Sequence, residues 1–312
     1  MPTKTMQQAI LYFSDEAACI KFVAKLRWPD GAKCLDCRSD KVSWMQSCKR
    51  WQCKNCRKQF SVKNGTIFEE SPIPLSKWLP AIWLIASAKN GISSYKVGKA
   101  LGVTQKTAWF MLHRIRFAMQ HDGQGMFPGK VEADETFIGG KARFMHKDKR
   151  EQVIKGTGGL GKTAVMGLLE RHGPDGHSVV KTKGVENVRR QTLSTEVREQ
   201  VTPGREVFTD ALKSYNDLST DYVHQVIDHA EEYVRGQIHT NGIENFWSLL
   251  KRAIKGTYVS VEPFHLFRYL DEESFRFNTR KTKDGDRFDR VVRGVEGRRL
   301  TYKQLTGTLE AP

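Results

Sequence analysis

Four of the chain's six cysteines stand in two pairs, Cys34-x2-Cys37 and Cys53-x2-Cys56, with fifteen residues between them. A C-x2-C turn holds two thiolates on one side of a tight knuckle. Two knuckles at this separation close a tetrahedral four-sulfur site for structural Zn²⁺. Disulfides are the competing reading, but the start of the sequence, "MPTKTMQQAIL", has no signal-peptide core or cleavage site. A reducing, cytoplasmic setting is therefore expected, and thiols there favour metal over disulfide. Cys48, inside the loop, and Cys19, in an apolar helical pattern, read as plain thiols.

Between and after the knuckles, "KRWQCKNCRKQFSVKNGTIFE" interleaves cations with flat side chains. The pattern resembles a zinc ribbon that offers Lys49, Arg50, Trp51, Lys54, Arg57 and Lys58 to DNA. The charge distribution supports a polyanionic partner: residues 1–129 carry +12 of the net +16. With 39% hydrophobic and 28% charged residues, and no apolar run near the ~20 residues of a membrane helix, no membrane role is expected.

Residues 92–117, "ISSYKVGKALGVTQKTAWFMLHRIRF", carry two candidate N-caps, Ser93 and Thr104, each opening an apolar stretch of helical period. Gly102 sits where a tight turn between helices needs positive φ, which is the mark of a helix-turn-helix. The second helix is expected to expose Gln105, Lys106, His113 and Arg114 and to enter the major groove by its start.

"GTGGLGKT", Gly156 to Thr163, fits the phosphate-loop pattern without a mismatch. Such a loop works only between a strand and a helix, where backbone N–H groups converge on phosphate. Here the preceding "RFMHKDKREQVIK" is charged, and the next stretch, "TAVMGLLERHGPDGHSVVKTKGV", reads as a β-hairpin. Nucleotide hydrolysis is excluded, and Lys155 and Lys162 read as part of a basic loop near DNA phosphate.

From residue 130 the pattern gives three strands in a meander and then strands alternating with helices, a mixed sheet with helices on its faces. Asp134 in the first strand and Asp210 at the end of the fourth interrupt buried-strand patterns, where an unpaired carboxylate is costly unless it binds a cation. Glu244 comes later, in a helix expected to cross that sheet.

On "VEADETFIGG", "VFTDALKSY" and "HTNGIENFWSLLKRAIKGTY", together with the ribbon and the helix-turn-helix, the chain resembles the zinc-ribbon DDE transposases of bacterial insertion sequences, the ISXO-type and Merlin-like group. The resemblance implies an α/β (α+β) architecture with a ribonuclease H-like mixed-sheet core over residues 130–280. Ahead of it stand an N-terminal helix and zinc ribbon over 1–66 and a helix-turn-helix region over 67–125; after it comes a polar tail, 281–312. It implies two Mg²⁺ or Mn²⁺ ions that cut transposon ends and join them to target DNA. Asp134 would bridge both ions, Asp210 would hold one and Glu244 the other, with Asn241 as the alternative third ligand. Lys251, seven residues after Glu244 on the same helix face, and Arg252 would meet the DNA backbone. Glu132, Glu135 and His239 support the ligands at most.

The implied partners are double-stranded DNA, as terminal repeats and as target, and further copies of the chain, as a homodimer or higher oligomer on DNA in the nucleoid. Residues 1–125 are expected to bind the repeats without the core, and the tail from Lys281 to be a flexible extension against DNA. The rival function is a domesticated, non-catalytic transposase acting as a DNA-binding regulator.

Overall fold

The computed structural model describes residues 5–120, 125–139, 162–173, 176–210, 212–227 and 239–307. The chain forms two compact units, one of residues 1–120 with 281–312 and one of residues 121–280.

The first unit begins with α1 (Met6–Tyr12) and α2 (Glu16–Arg27), the latter capped by Asp15, whose carboxylate accepts from the N–H groups of Ala17 and Ala18. The ribbon comes next as β1 (Val42–Met45), β2 (Arg50–Cys53) and β3 (Gln59–Phe60), an antiparallel sheet in that order. Then comes α3 (Leu75–Ser87), apolar on nearly every side and buried accordingly. Its N-cap, Pro74, has no side chain to offer, and Glu16 supplies the acceptors for the N–H groups of Leu75 and Ser76 at 2.9 and 2.8 Å. Helices α4 (Ser94–Leu101) and α5 (Gln105–Met119) start at the expected caps Ser93 and Thr104, and Gly102 between them has φ 61°.

The stretch from Lys281, expected as an extension, is folded into this unit. Helix α9 (Asp284–Arg293) buries Phe288, Val291 and Val292, and Phe288 packs among Phe13, Phe22 and Trp83 with ring centroids 5.4–6.0 Å away. Beyond it the Val295 carbonyl accepts from Ile67 N–H, Arg298 donates to the Phe117 carbonyl, and α10 (Tyr302–Leu305) closes with a capping box from Thr301 and Gln304. A fragment of residues 1–125 therefore lacks part of its own core.

The second unit is built on a five-stranded sheet of order β6-β5-β4-β7-β8, from β4 (Lys130–Ile138), β5 (Thr163–Arg171), β6 (Val179–Val185), β7 (Glu206–Asp210) and β8 (Val223–Ile227). The first three are antiparallel; β7 and β8 run parallel to β4. Alternation along β5 sends Ala164, Met166 and Leu168 to one face and Val165 and Leu169 to the other. The first face is covered by α6 (Arg190–Gln200) and the 3-10 helix Lys213–Thr220, and the second by α7 (Asn241–Ala253) and α8 (Leu266–Asn278). This is the mixed α/β core expected from the sequence. The phosphate-loop lookalike lies outside the described residues except for Lys162 and Thr163, and the chain runs from it into strand β5, not into a helix.

Candidate functional site

The two knuckles fold alike. In each, the residue after the second cysteine, Arg38 or Arg57, turns to positive φ (57° and 64°) and returns its N–H to the first cysteine's carbonyl. All four sulfurs lie within 4.8 Å of one another, with Cys34–Cys56 and Cys37–Cys53 both at 3.5 Å. Tetrahedral Zn–S bonds of about 2.3 Å place sulfurs about 3.8 Å apart, so the set fits Zn²⁺ with little movement. Backbone N–H donation from Cys56 holds the Cys53 thiol down to about 7, while desolvation and the neighbouring sulfurs push Cys56 up to about 12, so metal must displace protons from part of the quartet. Cys19 is buried in α2, its thiol pushed up to about 12 by desolvation, and Cys48 is exposed. Purified protein is expected to carry one zinc per chain, and Cys53→Ser to lose it with collapse of the ribbon. Metal analysis with thiol titration checks this.

Of the ribbon's DNA candidates, Lys49, Arg50, Lys54, Arg57 and Lys58 are exposed, with Lys58 tied to Asp36 at 2.5 Å. Trp51 is partly buried. Its ring is wedged between Trp28, Trp44 and Phe60 at 4.5–6.0 Å and builds the ribbon's small core, while Trp44 is the tryptophan left exposed.

In the second unit the acidic site arises from register. Parallel pairing sets Glu132 of β4 opposite Phe208 of β7, so two residues further along each strand Asp134 and Asp210 stand level. Asp134 faces α7, where Trp247 Nε1 donates to it at 2.9 Å. That approach depends on Gly167, its partner on β5: a Cβ there would lie 2.5 Å from the Trp247 ring. Asp210 accepts from Leu212 N–H at 3.1 Å. Glu135, one residue on, points to the other face and accepts from the Tyr215 hydroxyl at 2.8 Å. Because β7 ends here, its carboxylate still reaches the other two, and oxygens of Asp134, Glu135 and Asp210 lie within 4.8 Å of one another. Strand patterning undervalues Glu135; the adjacent Asp-Glu pair at a strand's end is the signal the sequence does contain.

Three half-buried carboxylates repel one another. Desolvation, and then the charge of Asp210, push Asp134 up to about 6. Desolvation likewise pushes Glu135 up to about 7, against the Tyr215 hydrogen bond that lowers it. A hard divalent cation relieves both effects, and an all-oxygen donor set suits Mg²⁺ or Mn²⁺. Both folded values lie above those of the unfolded chain. Without metal, these two groups therefore favour the folded unit when protonated and lose that contribution as pH rises through 6 to 7. Metal binding must displace the protons. Mn²⁺ affinity is thus expected to fall by roughly tenfold per pH unit for each proton displaced as pH drops below about 6, and Mn²⁺ to raise the melting temperature more at about pH 8 than at about pH 5. Calorimetric titration at several pH values, with thermal unfolding, checks both.

Glu244 stands exposed in the first turn of α7, accepting from Thr240 Oγ1 at 3.0 Å. It is outside the 4.8 Å group, yet its charge contributes to the rise at Asp134. Asn241, also exposed, is the first residue of the same helix. The helix start is pinned from below: Glu132, 1% exposed, accepts from Ile243 N–H at 2.8 Å and from Arg171 Nε at 2.6 Å. Arg171 also donates to the His239 carbonyl and lies 4.1 Å over the Phe208 ring. Lys251 and Arg252 are exposed near the other end of α7.

On α5, Gln105 and Lys106 are exposed in the first turn, as expected of a reading helix. His113 and Arg114 are not exposed, which corrects their reading as DNA-facing. Arg114 is 4% exposed and spends its guanidinium on the carbonyls of Leu300, Ile67 and Glu69 at 2.8–2.9 Å. The returning segment after α9 covers that part of the helix, and it comes from 186 residues away in the chain. No described helix is long and apolar enough to cross a membrane.

Comparison with known proteins agrees with this layout. Residues 126–278 match the family model of the ISXO2-like transposase domain, and residues 14–59 match that of the transposase zinc-ribbon domain. The chain is 28% identical over 264 residues to an uncharacterized protein in transposable element ISH50 of Halobacterium salinarum, an alignment covering 81% of this chain and 85% of that protein. It is 34% identical over 105 residues to an uncharacterized transposase-like protein of Haemophilus influenzae, covering 33% of this chain and 85% of that protein.

Proposed function

Since the chain belongs to the ISXO2-like transposases that carry a zinc ribbon, we propose that it binds the terminal repeats of an insertion sequence, cuts the DNA there and joins the ends to target DNA. The observation that carries the catalytic part is the convergence of Asp134, Glu135 and Asp210 at the end of the mixed sheet. Two divalent ions bound there would activate the attacking water or 3′-hydroxyl and stabilise the leaving oxygen of an in-line displacement.

The chain's own residues divide the work. Asp134, held in place by Trp247 Nε1, would be the central ligand for the metal. Asp210, its carboxylate oriented by the N–H of Leu212, would hold metal beside it. Glu135, held by Tyr215, adds negative charge beside it. Glu244, from the start of α7, would complete the ligand set, with Asn241 as the alternative. A carboxylate is the stronger ligand for a hard cation, which favours Glu244. Lys251 and Arg252, exposed on the same helix, hold the DNA backbone beside the ions. The ribbon cations and the start of α5 dock the repeats, and two ends brought together call for a dimer or higher oligomer.

The test is direct. Zinc-loaded protein incubated with Mg²⁺ or Mn²⁺ and a duplex containing one element end should release that end and join it to a plasmid, and chelation should stop both. Repeat-specific binding with no cleavage in either metal would instead assign the protein to DNA-binding regulation.

A further inference from the structure

The segment after α9 sits beside the reading helix and shares its surface. Tyr302, first residue of α10, lies 5.7 Å from Phe110 ring to ring and 5.2 Å from Lys106 Nζ, against the first two turns of α5. It is held there firmly. Leu305 is buried, the Leu300 carbonyl accepts from Arg114, and the capping box fixes the helix start. Yet Tyr302 is 44% exposed, Lys303 beside it is exposed, and the Tyr302 hydroxyl has no protein partner among the described residues. Nor, among the described residues, does Lys106 or Lys303 pair with a carboxylate.

Charge separates the two units completely. Residues 1–120 with 281–312 contain 28 Lys and Arg against 12 Asp and Glu, a net +16; residues 121–280 contain 23 of each, a net of zero. The returning segment is thus part of a strongly basic body, and residues 281–312 add +3 to it.

We propose that α10 is part of the duplex-binding surface, with Lys303 and the Tyr302 hydroxyl on phosphates flanking the groove that the start of α5 enters. This rests on α4–α5 being the DNA-reading pair. An exposed cation and an exposed hydroxyl on a short rigid element match how backbone contacts set register without reading bases. The cation–π contact positions the Lys106 ammonium beside Tyr302, so both cations face the same partner. The effect is independent of base sequence.

The experiment uses the full chain, zinc-loaded, and a mixed-sequence duplex of about 30 base pairs, roughly three helical turns. Affinity is measured over a series of salt concentrations for the unaltered protein and for Lys303→Ala, Tyr302→Phe and Lys106→Ala. Each lost phosphate contact lowers the slope of log affinity against log salt by about 0.9. Lys303→Ala is expected to show that change, so that its deficit grows about eightfold per tenfold dilution of salt. Tyr302→Phe is expected to weaken binding by about twofold to tenfold with the slope nearly unchanged, since it removes a neutral hydrogen bond. Zinc content and thermal unfolding should match the unaltered protein, because both side chains are exposed.

If Lys106→Ala lowers the slope while Lys303→Ala and Tyr302→Phe bind as before, the role of α10 is overturned and α5 remains the reader. No change in any variant overturns both. A loss in Lys303→Ala with none in Lys106→Ala overturns the shared surface, because the proposal sets both cations on one duplex.

Discussion

Asp134→Asn and Asp210→Asn should each lower end cleavage and joining by about a thousandfold or more, equivalent to roughly 4 kcal/mol of lost transition-state stabilisation. Binding to the repeats should be nearly unchanged, because the ribbon and α5 cations proposed to dock them belong to the other unit. An amide keeps the shape of each side chain, so Trp247 Nε1 and Leu212 N–H retain an acceptor and the fold is not disturbed. The measurement is the rate of cleavage of a labelled end in Mg²⁺ and in Mn²⁺, beside a binding isotherm. Glu135→Gln should be milder: the acceptor for Tyr215 survives, and the loss of one charge is expected to raise the metal needed for half activity by about 10- to 100-fold. For the third ligand, Glu244→Gln should be inactive and Asn241→Ala active; the reverse outcome moves that role to Asn241. Normal cleavage by Asp134→Asn or Asp210→Asn, with contaminating unaltered protein excluded, would reject the two-ion reading.

The second large effect is structural. Glu132→Ala removes the buried carboxylate that accepts from Arg171 Nε and from the Ile243 N–H. Breaking a buried ion pair in this one-sided way costs about 3–5 kcal/mol. For a unit of this size each kcal/mol shifts the melting temperature by about 2–4 °C, so a drop of roughly 6–20 °C is expected in the transition of the second unit. Glu132→Gln, which keeps an acceptor for Ile243, should lose less. A melting temperature within a degree or two of the unaltered protein in Glu132→Ala would show that α7 is held by its apolar face alone, through Ile243, Phe246, Trp247 and Leu250.

Local rules make much of this visible in the sequence alone. The zinc quartet is legible from spacing, because two knuckles have few ways to meet. Ser93, Gly102 and Thr104 are legible because capping and positive φ are decided by neighbouring residues. Asp134 and Asp210 stand out as carboxylates inside buried-strand patterns. The features that escape such rules depend on distant chain. Arg114 looks like a surface residue of a reading helix until the return of residues 294–300 covers it. Glu135 is discounted because strand alternation aims it away from Asp134, a rule that relaxes where β7 stops. The tail reads as an extension on its polarity, although Phe288, Val291 and Val292 already have the i, i+3, i+4 spacing of a buried helix face.

The seat of Phe288 among Phe13, Phe22 and Trp83 has a consequence for the order of events in synthesis. A nascent chain emerges at about 5–20 residues per second, so the 160 residues of the second unit separate the two halves of the first by roughly 8–32 s. During that interval an apolar socket waits open, and the basic body proposed to grip DNA is unfinished. A ribosome that stops within the second unit releases a product with the ribbon and α5 but without the helix that seats them. On the proposed function, only a molecule whose sheet has already been made can complete its hold on DNA, so truncated products should compete poorly with intact copies for the same duplex.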